Sequence, residues 1–302
     1  MGAWLFFAPL LLAVVLPGVC TWLFHGWPAA WRYRSAFLAS TGLTFPVWCW
    51  LYLRNQASPQ SALLVAAGSF VGSVVATTFT SGFVEDNARP SPGVQEKVLA
   101  YHADLRCPPE PALKRPFDIG LSLVALAVTF PLWIIVAFVI WFEEPGPIFF
   151  AKNSVGRGGS TFHEWKFRSM KYDAERLTGP VASCANDPRT LKIGRWLRRW
   201  HLDELPEVLN VLSGTMSLVG PRPLRTVLVQ TYLEETPGFA RRHTVRPGIV
   251  CIAQIEKYHM SPAERLHKDR MYIRRMSVPF DIKLLGRAVV TTLRGEREYT
   301  PR

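Results

Sequence analysis

Apolar positions run through the first 84 residues almost unbroken, and only afterwards do charged positions become frequent. A membrane-spanning helix needs about 20 mostly apolar residues. Stretches near 3–24, 36–53 and 61–84 meet or approach that length, so residues 1–84 read as an all-α transmembrane region of about three helices. Pro17 and Gly18 interrupt the first stretch, which leaves a bent helix or a hairpin there. Trp22, Trp27 and Trp31 flank the first connection, as an interfacial aromatic belt would. That connection carries Arg32 and Arg34, whereas the second carries only Arg54, so the positive-inside rule places the first on the cytoplasmic side. The N-terminus lacks a basic n-region and a small-residue cleavage site, so Trp4–Phe24 is expected to be retained.

Residues 85–113 mix charges with prolines, including Pro108-Pro109, and read as a linker with a short helix near 94–105. Lys114-Arg115-Pro116-Phe117-Asp118 then introduces an uncharged run from Ile119 to Phe142. Its length suits a fourth membrane helix, but Pro131 near its middle removes a backbone donor and kinks it. Lys114 and Arg115 precede the run and a cationic region follows Lys152. A re-entrant helix over 117–141, with both ends on one side, and a straight crossing both fit that pattern. Beyond residue 143 the pattern is that of a compact domain occupying the rest of 114–302. Pro147–Lys152 and Phe162–Phe167 read as strands joined by a glycine-rich turn at 155–160. No G-K-[ST] follows those glycines, so they mark a turn and not a phosphate loop. Leu205, Val208, Leu209 and Leu212 fall at i, i+3, i+4 and i+7, which predicts a helix over 204–212 with Asp203 as its N-cap. The expected fold class is an α/β, mainly helical, membrane-associated catalytic domain preceded by the all-α transmembrane region.

Charge sharpens this division. The chain has 302 residues with 35 Lys+Arg and 23 Asp+Glu, a net +12. Residues 1–84 hold three arginines and no acid, whereas 112–302 hold 29 basic and 18 acidic groups, or +11 of the total. At 49% hydrophobic residues the chain is too apolar to be disordered. The basic part points to an anionic partner. The five cysteines form no C-x-x-C pair and have no His at ligand spacing, which argues against a zinc site or a disulfide framework.

The densest chemistry lies between Asp187 and Pro223. Asp203 and Glu204 sit side by side at a predicted helix start. Capping alone would favour acids there by about 1 kcal/mol or less. Arg189, Arg195, Arg198 and Arg199 precede them, however, and Gly220-Pro221-Arg222-Pro223 and Arg246-Pro247-Gly248 follow. Prolines and glycines around a single arginine fix its backbone and suit an anion clamp. An acid pair among fixed arginines fits phosphoryl transfer, with one carboxylate as nucleophile and Mg²⁺ bridging oxygens. Trp196 and Trp200, four apart among arginines, suit either contact with anionic headgroups or packing beneath the helix.

At these residues the chain resembles the bacterial sugar transferases, monotopic polyprenyl-phosphate phosphoglycosyl transferases. The matching pieces are KRPFD at 114–118, GPIFF at 146–150, KFRSM at 166–170, DPRT at 187–190, LDELPEVLNVLSGTMSLVGPRP at 202–223, RPGI at 246–249 and FDIKLL at 280–285. The resemblance implies transfer of a sugar-1-phosphate from a UDP-sugar to undecaprenyl phosphate with release of UMP, as the opening step of exopolysaccharide or lipopolysaccharide assembly. It implies that Asp203 is the nucleophile and a Mg²⁺ ligand, with Glu204 completing the dyad. It implies that Lys166, Arg168, Arg198 and Arg222 hold phosphates, and that Arg246, Asp269 and Tyr272 complete the pocket. It favours the re-entrant helix kinked at Pro131, an inner-membrane location with a cytoplasmic active site, and contact with anionic lipids. Nucleic acid is not an expected partner, and a homo-oligomer is left open.

Three positions depart from the family pattern. Phe130-Pro131 stands where Ser-Pro is common, so a hydroxyl bond to the carbonyl freed by the proline must come from Thr129 or be absent. Val250-Cys251 stands where Thr-Gly is usual, in a loop expected to touch nucleotide or sugar. Glu207 replaces a common Gln and reads either as a solvated helix face or as a third acid near Asp203 or the metal. Two other readings follow from the residues: a non-enzymatic membrane protein whose basic face binds a polyanion, and a family member whose activity the Val250-Cys251 change has altered.

Overall fold

The computed structural model describes residues 84–85, 92–172, 174, 187–256 and 260–293. The membrane helices expected before residue 84 lie outside the described residues. In chain order the elements are β1 (Val84–Glu85), α1 (Pro92–His102), α2 (Lys114–Glu143), β2 (Phe149–Val155), β3 (Thr161–Phe167), α3 (Lys192–Arg199), α4 (Glu207–Ser213), β4 (Ser217–Val219), α5 (Thr226–Glu235), β5 (Gly248–Val250), α6 (Ile252–Glu256), α7 (Pro262–Arg275) and α8 (Val278–Leu293). The described part is mostly helical. Its strands form a β1-β2-β3 sheet, with β1 parallel and β3 antiparallel to β2, and a parallel β4-β5 pair.

Both strands expected around the glycine-rich turn are present, shifted towards that turn. It is a 3₁₀ turn at Arg157–Gly159 in which Gly158 and Gly159 take positive φ. The expected linker is more ordered than its prolines suggested. Val98 on α1 is fully buried in a core with Val155, Val229, Leu233 and Phe239. Arg246 also ties the linker down, pairing with Glu110 and donating from Nε to the Gly214 carbonyl at 2.9 Å.

α2 is the one helix among the described residues long and apolar enough to cross a membrane. Only 11% of its most apolar 18-residue window is buried, which separates it from an ordinary core helix. Leu123, Val128, Phe130, Ile135 and Phe142 are exposed along it. Its two ends dock on one folded body. At the start, Arg115 donates to the Val211 and Leu212 carbonyls at 2.6 and 3.0 Å, covering orphan acceptors at the end of α4. At the finish, Trp133, Val136 and Ile140 pack against Phe167, Leu191 and Leu197. There Glu143 accepts from the Lys192 and Ile193 backbone N–H groups at 2.6 and 2.9 Å, where the dipole of α3 favours an acid.

Pro131 lies inside α2. Thr129 does make a hydroxyl back-bond, but to the Ala125 carbonyl at 2.7 Å. The carbonyl that Pro131 leaves without its donor is that of Ala127, four residues back. The Thr129 bond thus goes to a carbonyl two residues before the freed one and does not satisfy it, and Thr129 Oγ1 also accepts from Trp133 Nε1 at 3.2 Å.

The root of α2 is held by a sealed ionic network. Lys114, with no solvent exposure, places Nζ 3.0 Å from Asp118 and 2.6 Å from Asp281 on α8. It also donates to the Val219 carbonyl at 3.3 Å. Ser217 donates to Asp118 at 2.8 Å, and Tyr272 donates to the Val219 carbonyl at 2.7 Å and to Asp281 at 3.0 Å. Two far-apart motifs, KRPFD and FDIKLL, thus meet through one lysine. The β4-β5 pair beside it has no room for side chains where its loops cross. A Cβ on Gly248 would lie 2.0 Å from the Gly220 nitrogen, and one on Gly220 would lie 2.5 Å from the Arg246 carbonyl oxygen.

Removing one member of a buried ion network strands the others without compensation, at a cost of about 3–5 kcal/mol. Lys114→Met is therefore expected to lower stability by that amount, measured by denaturant unfolding of the full chain in detergent. Stability within about 1 kcal/mol of wild type would show that Asp118 and Asp281 do not depend on the lysine.

Candidate active site

The site begins on the β2-β3 hairpin, where register sets Lys152 opposite Glu164. The pair closes to 2.7 Å, and Ser154 donates to the other Glu164 oxygen at 2.6 Å. Burial works against the Glu164 charge, but Lys152 and Lys166 outweigh it and hold this carboxyl down at about 2. Two residues along β3, Lys166 reaches three carboxylates: Glu204 at 2.9 Å, Glu207 at 2.9 Å and Glu164 at 3.3 Å.

The acid pair does not sit where the apolar period placed it. Leu202–Glu204 is a 3₁₀ turn, and α4 starts at Glu207 with Pro206 as its cap residue. Asp203 is therefore not an N-cap. Pro206 lacks an N–H and holds φ at −63°, which separates the turn from the helix without breaking a ladder bond. His201 starts the turn with φ 54°, the one non-glycine residue at positive φ among those described. Such a residue in the left-handed region is a local strain that surrounding contacts must hold. It turns the chain so that Asp203 and Glu204 both face inward, at 9% and 8% exposure.

Their environments differ sharply. Arg222 of the Gly-Pro-Arg-Pro loop grips Glu204 with both terminal nitrogens, one of them at 2.9 Å, while Lys166 holds the same carboxylate from the other side. Burial alone would raise Glu204, but Arg222 and then Lys166 keep it well below the usual carboxylate range. Asp203 accepts no hydrogen bond and forms no ion pair among the described residues. Burial, and next the charge on Glu204, push its carboxyl up, against the pull of Lys166, Arg198 and His201. One acid is thus a fixed counter-charge and its neighbour is a free carboxylate.

Glu207 corrects the expectation of a solvated face, because it has no exposure. It lies 2.9 Å from Lys166 Nζ without hydrogen-bond geometry, and neither of its oxygens has a hydrogen-bond partner. Burial drives its carboxyl up to about 8, with Lys166 opposing and Glu204 and Glu164 reinforcing.

The remaining expected residues separate into those near this cluster and those elsewhere. Arg198 donates from Nε to Ser169 at 2.8 Å, next to the turn that carries Asp203. Asp269 binds the buried Arg242 at 2.7 Å, and Arg242 donates in turn to the Arg222 carbonyl at 2.7 Å, so both act on the clamp from behind. Arg168 is 2% exposed and holds Glu144 at the end of α2. Arg246 and Tyr272 serve the linker and the Lys114 network and share no partner with Glu204. Gln254 on α6, turned so that its amide satisfies both neighbours, accepts from Arg222 at 2.9 Å and donates to the Ile249 carbonyl at 3.0 Å. Cys251 is buried beside it, and burial pushes its thiol up, so it is a packing thiol and not a reactive one.

Sequence reasoning missed Glu164, Lys152, Arg242 and Gln254. Glu164 had a local signal, since it shares a strand face with buried Phe162 and with Lys166. The others are joined to the site only by chain folding.

Comparison with known proteins identifies the family of the chain. The family model described as bacterial sugar transferase matches residues 110–295. The chain is 35% identical over 187 residues to the UDP-N-acetylgalactosamine-undecaprenyl-phosphate N-acetylgalactosaminephosphotransferase of Aeromonas hydrophila, covering 61% of this chain and 44% of that protein. It is 40% identical over 179 residues to the UDP-glucose:undecaprenyl-phosphate glucose-1-phosphate transferase of Escherichia coli, covering 57% and 38% respectively. It is 37% identical over 191 residues to the exopolysaccharide production protein PSS of Rhizobium leguminosarum, covering 60% of this chain and 95% of that protein. The chain thus spans less than half the length of the first two relatives and nearly all of the third.

Asp269→Asn would leave the buried Arg242 short of its counter-charge. The expected result is a loss of about 3–5 kcal/mol in stability, read by denaturant unfolding, whereas Asp269→Glu should restore part of it. An Asp269→Asn protein as stable as wild type would show that Arg242 does not need this carboxylate.

Proposed function

The chain belongs to the bacterial sugar transferase family, and from that premise we propose that it transfers a sugar-1-phosphate from a UDP-sugar to undecaprenyl phosphate. The observation that carries this reading is the asymmetry of the acid pair. Glu204 is consumed by Arg222 and Lys166, and Asp203 is left as a buried carboxylate with no partner among the described residues. A carboxylate made more basic by its surroundings is a better nucleophile towards phosphorus. Arg222, Lys166 and Arg198 supply cations where a diphosphate would need them.

In the proposed first step an Asp203 oxygen attacks the phosphorus that bears the sugar. The bond from that phosphorus to the UMP oxygen breaks, and UMP departs with the electron pair. In the second step an oxygen of undecaprenyl phosphate attacks the same phosphorus, and the bond to Asp203 breaks to restore the carboxylate. Glu204 keeps Arg222 and Lys166 in place between steps without competing as a nucleophile. The donor set also suits Mg²⁺, because this ion favours one or two carboxylates together with substrate phosphates, and Asp203 is the unengaged carboxylate here. When bound, the ion would neutralise charge developing on the phosphate oxygens.

The location follows from α2. Its exposed apolar surface and its two ends on one body support a re-entrant helix bent at Pro131, with the site on the cytoplasmic face of the inner membrane. Trp196 is 48% exposed on α3 beside exposed Arg195, Arg199 and Lys192, which supports contact with anionic headgroups. Such contact would bring the acidic pair near the depth of a lipid phosphate. The product would open a surface-polysaccharide pathway such as exopolysaccharide assembly.

The test is UMP release from a panel of UDP-sugars by the full chain in vesicles with Mg²⁺ and undecaprenyl phosphate. Turnover of one sugar is expected, together with retention of radiolabelled sugar phosphate on the protein when the lipid is withheld. Asp203→Asn should reduce both by at least about a thousandfold, a loss of about 4 kcal/mol or more in transition-state stabilisation. Full turnover in that variant would remove Asp203 from the nucleophile's role, and salt-sensitive lipid binding without turnover would favour a non-enzymatic protein.

A further inference from the structure

Glu207 is a carboxyl without a structural reason for its burial. It has no exposure, no hydrogen-bond partner for either oxygen, and an ion-pair contact with Lys166 Nζ at 2.9 Å. An ionised carboxylate sealed in this way costs several kcal/mol, whereas the neutral acid costs far less. Lys166 is also claimed by Glu204 at 2.9 Å and Glu164 at 3.3 Å. Beside Asp203, Lys166 thus belongs to a cluster of three cations, with Lys152 and Arg222, and three acids, Glu164, Glu204 and Glu207. With all six charged the cluster is neutral. With a proton on Glu207 it carries one net positive charge, located where a phosphate would bind.

We propose that Glu207 gates the charge of Lys166: a proton on its sealed carboxyl leaves positive charge at the lysine uncompensated and open to a substrate phosphate, and loss of that proton cancels it. Glu207 is a positioning residue, since it acts through Lys166 and does not touch substrate. The groups facing it fit the role. Lys166 and Glu164 come from β3, Glu204 from the 3₁₀ turn and Arg222 from the Gly-Pro-Arg-Pro loop, while Lys152 of β2 faces Glu164. Glu164 is already satisfied by Lys152 and Ser154, and Glu204 by Arg222. Glu207 is the acid of the three whose protonation is not opposed by a partner of its own.

The sign follows. Burial raises the Glu207 carboxyl to about 8, so it is neutral at and below neutral pH and ionises as the pH climbs through that value. Phosphate affinity is then full below neutrality and falls on the alkaline side. The gate rests on the proposed reading of the site as one for a nucleotide diphosphate, and the two can fail separately.

The experiment titrates UDP into the full chain in nanodiscs by calorimetry from pH 6.5 to 9.5, for wild type and Glu207→Gln, with inorganic pyrophosphate as a second ligand. Wild type is expected to lose roughly tenfold in affinity across that range, as a single charge contact is lost. Glu207→Gln, which cannot ionise, should be flat. An infrared titration of both proteins should show a protonated carboxyl at pH 7 in wild type that disappears near pH 8 and is missing from Glu207→Gln. Parallel affinity curves for the two proteins, or no such carboxyl at pH 7, would overturn the gate. If UDP binds neither protein at any pH, the nucleotide reading fails, and the pyrophosphate curves then decide the gate on the same criterion.

Discussion

Everything in the candidate site depends on how Glu204 is neutralised. A carboxylate at 8% exposure would ordinarily pick up a proton. Arg222 and Lys166 prevent this from two directions, one cation delivered by a proline-braced loop and the other by a strand. Both cations pair with Glu204, and its neighbour Asp203 forms no ion pair among the described residues. The same two contacts therefore produce an inert acid and an available one from adjacent positions in the chain. Neither a helix cap nor a solvent-exposed acid pair would separate their chemistry in this way.

The cations are in turn held by residues that take no part in the pair. Arg242, pinned by Asp269, grips the carbonyl of Arg222, and Gln254 closes on its guanidinium. Lys152 and Ser154 hold Glu164 at 2.7 and 2.6 Å, closer than the 3.3 Å that separates it from Lys166. The membrane helix is coupled to this body at both ends, by the Lys114 network at its root and by Glu143 at the start of α3. α3 runs straight into the turn bearing Asp203. The long apolar helix and Asp203 are thus separated by one short helix and the turn that follows it.

Much of this was legible where the signal was local. The hairpin, the long apolar helix with its proline, and the acid pair followed by a braced arginine could all be read from short windows. The helix after the acids was misplaced because the period of Leu205, Val208, Leu209 and Leu212 continues back through a 3₁₀ turn, and apolar spacing does not distinguish that turn from a helix. Glu207 looked solvated for the same reason: its partner Lys166 lies 41 positions earlier, on a strand. Arg246 and Arg222 share a proline-glycine setting, and both do clamp anions. The anion of Arg246 is Glu110 in the linker, a pairing over 136 positions that no local pattern encodes.

The crossing of the two clamp loops also has a consequence. Gly220 and Gly248 bring backbone against backbone, so no rotamer change can cushion a shift between them. Arg222 lies two residues past Gly220 in the loop that leaves β4, while Ile249 and Val250 belong to β5 and Cys251 follows it. A displacement of the second loop therefore bears directly on the backbone that leads to Arg222, as in a lever with little play. Substitutions at Val250 and Cys251 can then retune the clamp from the far end of that lever while every residue of the charged cluster stays the same.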